Sequence, residues 1–176
     1  TLYRAVWNYP YNSAANLQLA QLYSKQRNYE MALDRLDEAI VRNGDNLNAI
    51  NLKTSILREQ GKRQEALDCI NKVLSFDPLN AYATAEKDMI TGNDSLKILM
   101  RDEEESYIEL AINYLHNGFN EMSIKLLKYA DSIRPYPTTK MWLGWFADKS
   151  GDKATAKMYF DKAVSLSTDY CNPFRL

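Results

Sequence analysis

Apolar residues recur at helical spacing along most of this chain, and the recurrences themselves repeat. Leu17, Leu19, Ala20, Leu22 and Tyr23 mark a helix over residues 12–26. Met31, Ala32, Leu36, Ala39 and Ile40 mark a second, with Asn28 placed to cap it and Gly44 expected to close it in the left-handed conformation. The next pair runs from about Leu47 to Gln60 and from about Arg63 to Phe76, turning at Gly61 and stopped by Asp77-Pro78. Ala32, Leu36, Ala39 and Gly44 recur 34 positions later as Ala66, Ile70, Val73 and Pro78. Leu110, Gly118, Ser123, Leu127 and Ala130 recur 33 later as Leu143, Gly151, Ala156, Phe160 and Ala163. Such a period predicts an all-α fold, an α-α superhelix of antiparallel helix pairs stacked as a solenoid.

The alternation breaks between the two sets. Ala81–Ile90 reads as one helix, 91–94 as a turn and Ser95–Met100 as a short helix, so 81–103 is expected to be a shortened, irregular repeat. Two repeats are expected over 13–80 and two more over 104–170. Asp102 and Glu105 have capping-box spacing for the helix that follows. A helix from Asn120 to about Ile133 is expected to stop at Pro135 and Pro137, with the last pair over about 139–149 and 153–167. The chain opens on Thr1, and by register residues 1–12 read as the end of a truncated preceding repeat. Residues 171–176 read as the start of a further one, so a longer parent solenoid is expected.

Composition narrows the chemistry. Hydrophobic residues make up 45% of the 176, enough for a substantial core. A net charge of -1 gives no electrostatic reason to expect nucleic acid or an anionic membrane as partner, and no apolar run is long enough to span a bilayer. Cys69 and Cys171 have no metal-ligand spacing, and His116 is the only histidine. Its place at a helix end suits a cation beside the dipole rather than catalysis. The acidic run 102–105 lacks the alternating oxygens and central glycine of a calcium loop, and no Gly-rich phosphate loop occurs. The expectation is no enzyme, no cofactor and no metal site; the compartment stays open.

The positions Leu19, Ala20, Tyr23, Ala32, Leu36 and Ala39 resemble the tetratricopeptide repeat, and so do Leu110, Ala111, Tyr114, Ser123, Leu127, Ala130 and Pro135. Leu143, Gly144, Ala156, Phe160 and Ala163 follow the same pattern; Lys53 and Thr54 depart from it. The small positions let helices approach while large apolar residues fill the adjacent gap. More narrowly, Leu143-Gly144-Trp145 and the ending from Asp169 to Leu176 look like the repeat region of large bacterial proteins with a mutarotase-like β-sandwich domain.

The family resemblance implies that the first helix of each repeat lines a concave groove. By register the lining residues are Leu17, Gln21, Ser24 and Lys25; then Asn48, Asn51, Ser55, Arg58 and Glu59. Glu105, Ile108, Ile112, Leu115 and His116 follow, then Met141, Trp145, Asp148 and Lys149. The implied role is a non-catalytic interaction or scaffold domain that binds a peptide or protein in this groove. The lysine needed to clamp a chaperone's C-terminal carboxylate is absent. Alternatives are an intramolecular scaffold that orients a catalytic, carbohydrate-active domain of the same parent chain, or a carbohydrate-binding part of it. Trp142 and Trp145 offer stacking area, and Tyr3, Trp7, Tyr9 and Tyr11 form an aromatic N-terminal cluster suited to packing on a preceding repeat.

Overall fold

The computed structural model describes residues 2–7 and 11–168, so Tyr9 and Cys171 lie outside the described residues. Within them it contains helices and no strand. The order is α1 (Leu2–Ala5), α2 (Asn12–Lys25), α3 (Tyr29–Arg42), α4 (Leu47–Glu59), α5 (Arg63–Phe76) and α6 (Ala81–Thr91). Then come α7 (Ser95–Met100), α8 (Glu104–His116), α9 (Asn120–Ile133), α10 (Pro137–Lys149) and α11 (Lys153–Ser165). They divide into two compact units, one within 1–101 that also takes in His116–Gly118, the other within 102–115 and 119–176.

In the first unit the repeated small positions do what their size allows. Ala20, Ala32, Ala39 and Ala66 are completely buried, and Leu36 and Ile70 fill the space beside them. Ile50, Leu57, Ile70, Val73, Ala83 and Ile90 form one apolar cluster between α4, α5 and α6. The departure at Lys53 and Thr54 is accommodated locally. Lys53 pairs with Asp37 at 2.5 Å, and buried Thr54 returns its hydroxyl to the Ile50 carbonyl at 2.9 Å.

Asparagines recur here with the period of the repeat, at 12, 46 and 80. Asn46 accepts from Ala49 N at 3.1 Å, capping α4, and donates to Ser13 Oγ at 2.9 Å; Ser13 in turn donates to the Ala39 carbonyl at 2.9 Å. Asn80 accepts from Ala83 N at 3.0 Å, capping α6, and from Asn51 Nδ2 at 3.2 Å. Asn12 donates to the Val6 carbonyl at 2.6 Å. Each therefore ties the start of a helix to another part of the unit.

In the second unit, Tyr107 meets Tyr129 edge-on at 4.9 Å between centroids, and Tyr114 meets Phe119 at 6.4 Å. Leu127 and Ala130 are buried. Gly144 lies under the Phe160 ring: a β-carbon there would sit 2.7 Å from it.

Three local expectations are corrected. Gly44 does not take a positive φ. Instead α3 closes through extended Asn43, whose side-chain oxygen accepts from Asp45 N at 3.2 Å. The capping box at Asp102 and Glu105 falls out of register, because α8 opens at Glu104 after a positive φ at Arg101. The first-turn acids serve side-chain contacts instead: Glu104 pairs with Arg134, and Glu105 accepts from Tyr136 OH at 3.1 Å. Pro137 opens α10 rather than standing before it, since a proline at the first helical position gives up an N–H that has no partner there.

Candidate functional site

In the first unit α2 carries Leu17, Gln21 and Ser24, and α4 carries Asn48, Asn51, Ser55 and Arg58. Asn48 is exposed; Leu17, Gln21 and Arg58 are half-buried; Ser24, Asn51 and Ser55 are buried. Asn51 reaches Asn80, while Ser24 and Ser55 engage three residues outside the implied lining, Tyr82, Glu86 and Asn117. Ser55 Oγ donates to Glu86 Oε1 at 2.7 Å and lies 2.8 Å from Tyr82 OH. Arg58 Nε donates to Glu86 Oε2 at 2.7 Å, and its Nη1 donates to Glu59 Oε1 at 2.7 Å. Asn117 Nδ2 donates to Tyr82 OH at 3.1 Å, Gln21 Nε2 donates to Asn117 Oδ1 at 3.1 Å, and Ser24 Oγ donates to the Asn117 carbonyl at 2.6 Å.

The electrostatics follow from burial. Glu86 is fully buried, and such a carboxylate needs both a cation and hydrogen-bond donors. Burial works against the Arg58 charge, but the Glu86 and Glu59 carboxylates outweigh it and hold the guanidinium more firmly protonated than usual. Burial, reinforced by the Glu86 charge, pushes the Tyr82 phenol well above its ordinary value. Arg58 and Tyr82 are thus both held away from proton exchange near neutrality.

Glu86 had a faint sequence signal: one carboxylate amid Ala81, Tyr82, Ala83, Thr84 and Ala85, on a helix whose small residues mark it for burial. Asn117 had none, because its partners lie far away in sequence.

The second unit differs. Of its implied lining residues, Ile108 is buried, and Glu105, Ile112, Leu115 and Asp148 are half-buried. Met141 is 54% exposed and Trp145 36%, one helical turn apart on α10. Trp145 is fixed from three sides. Trp142 meets it edge-on at 5.7 Å, Phe146 at 5.0 Å, and the Lys149 ammonium lies 5.7 Å from its ring centroid. Asp148 is held by Lys153 at 2.7 Å. Tyr107, away from this face, has its phenol pushed up to about 12 by burial and then by Tyr129. Among the described residues, no cluster of His, Cys, Asp and Glu suits a metal ion, and no helix is long and apolar enough to cross a membrane. Cys69 is a free, half-buried thiol.

Residues 138–170 match the tetratricopeptide repeat family (TPR_8). No curated protein matches the chain. Among solved structures it is similar to a MamA crystal structure, at 18% identity and a TM-score of 0.42 over 93% of this chain and 83% of that one. It is also similar to MamA 41-end from Desulfovibrio magneticus RS-1, at 19% identity and a TM-score of 0.44 over 89% and 98%. The matched segment is the pair α10 and α11, and the preceding helix pairs place alanine and leucine at the same register. Residues 138–170 are thus a tetratricopeptide repeat by family match, and the rest of the chain shares the helical-repeat architecture.

Proposed function

We propose that this chain is a non-catalytic scaffold that holds a peptide or protein against the first-helix face of its repeats, with Met141 and Trp145 on α10 as the principal contacts. The observation that carries this reading is the exposure of Met141 and Trp145 in one line, the indole already oriented by its neighbours. A large side chain held in one orientation loses little entropy on binding, and tryptophan is over-represented where interfaces concentrate their energy. Asp148 and Lys149 give the stripe a polar rim. The buried Ser24, Asn51 and Ser55 serve the unit itself, so Asn48 and the half-buried Leu17, Gln21 and Arg58 supply what a ligand could reach there.

A photo-crosslinking residue placed at Met141 tests the reading, in source-cell extract and with the full chain. We expect one dominant adduct, lost on Trp145→Ala in a variant whose helical circular dichroism is intact. Adducts that survive Trp145→Ala would remove Trp145 from the interface.

A second reading, a scaffold that orients another, carbohydrate-active domain of a longer parent chain, draws on Tyr3, Trp7 and Tyr11, which are all exposed. Under that reading the dominant adduct is within the parent chain.

A further inference from the structure

We propose that the first unit contains a binding pocket for an asparagine carboxamide followed by glycine, and that Asn117-Gly118 of the same chain is its built-in occupant. The pocket engages three polar groups of that residue. Gln21 Nε2 donates to the side-chain oxygen, the side-chain nitrogen donates to Tyr82 OH, and Ser24 Oγ donates to the backbone carbonyl. Asn117 is 6% exposed, so these bonds are made out of water, where an unmatched group is costly.

The hydrogen-bond directions favour an amide over an acid. Gln21 Nε2 can only donate, and it meets the asparagine side-chain oxygen, while the asparagine N–H₂ donates to Tyr82 OH. An aspartate would lose the donor to Tyr82 and bring a second carboxylate into the buried cluster around Glu86.

The next position is specified by shape. Gly118 has φ +89°, and a β-carbon on it would lie 2.9 Å from the Lys25 α-carbon and 3.0 Å from its nitrogen. Backbone cannot yield as a flexible side chain would, so only glycine fits. Amide readout followed by a glycine-only position is a recognition code for an Asn-Gly turn. An internal copy at high effective concentration keeps the pocket filled until a competing segment displaces it. This holds whether or not Trp145 meets a partner.

The test uses a fluorescent synthetic peptide with the sequence of residues 113–121, titrated by anisotropy against the full chain. The native chain is expected to bind it weakly, and Gly118→Ala about tenfold or more tightly, because its β-carbon expels the turn and leaves the pocket free. Peptides with Asn→Asp or Asn→Ala at the position of Asn117 are expected to lose that gain. Equal binding by native and variant chains, or equal binding of all three peptides, overturns the proposal. If Gly118→Ala does not fold, Asn117→Ala, which removes the side-chain bonds to Gln21 and Tyr82, takes its place.

Hydrogen exchange on the native chain needs no variant. Residues 21–27 and 116–119 are expected to lose protection together and ahead of α4 and α5. Protection of these segments that is lost only with global unfolding also overturns the proposal.

Discussion

The Glu86 carboxylate has no exposure to solvent, and Arg58 Nε sits 2.7 Å from its Oε2. The pair joins α4 to α6, and its two members differ in environment, for the Arg58 side chain keeps 20% of its surface in water. Removing the partner is therefore worse than removing the charge. Arg58→Ala leaves a carboxylate buried without its cation and is expected to cost about 3 kcal/mol in urea unfolding. Arg58→Ala combined with Glu86→Gln is expected to recover most of that loss, because Gln keeps acceptor capacity without charge. A double variant no more stable than Arg58→Ala would show that the pair is not what Glu86 depends on.

Gly144 and Phe160 form the small-and-large contact of the matched repeat. Gly144→Ala brings a β-carbon to 2.7 Å from the ring and is expected to cost about 1–3 kcal/mol. In a Phe160→Ala background the same change is expected to be nearly neutral. Thermal unfolding of the four proteins gives the coupling, and additive effects would place the strain elsewhere.

Two turn glycines separate backbone strain from crowding. A β-carbon meets nothing within 4 Å at either Gly44 or Gly61, but only Gly61 has a positive φ, +75°. Gly61→Ala is expected to lose about 1–2 kcal/mol. Gly44→Ala is expected to be neutral, or to gain about 0.4–1 kcal/mol from a less flexible unfolded chain. The midpoints of chemical denaturation should move in opposite directions, or for Gly61 alone.

Asp152 caps α11 by accepting from Thr155 N at 3.0 Å. Hydrogen bonds from the Thr155 side chain and then its backbone hold the carboxyl below its ordinary 3.8. Its folded value is thus the lower one, so the stabilisation is complete above pH 3.8 and is lost as pH falls through the folded value. Asp152→Asn retains an acceptor that does not titrate. Comparing unfolding of the two proteins between neutral pH and acid should show a shallower acid loss in the variant; parallel curves would mean that Asp152 does not titrate differently on folding.

The helices were legible in the sequence because their cause is local. Ala32, Leu36 and Ala39 are spaced to share one helix face, and Gly61 and Pro78 interrupt the chain where helices end. The polar interior was not legible. Ser24, Asn51 and Ser55 read as surface because serine and asparagine usually are, while the residues that satisfy them stand 27 to 93 positions away. Periodicity records which face a residue occupies; it carries no record of which distant atom meets it there. Asp102 and Gly44 failed for a smaller reason, since a shift of one or two residues at a helix end changes which groups need a partner.

The asparagines at 12, 46 and 80 have a consequence for how the first unit comes apart. Asn46 holds the first turn of α4 with one atom and Ser13 on α2 with another; Asn80 holds α6 and Asn51 on α4 through its one side-chain oxygen. Fraying of a helix end, ordinarily a private event confined to one turn, here releases a neighbouring helix as well. The helices are clasped at their starts, and the unit should loosen the way a zip does, by adjoining teeth rather than at scattered points.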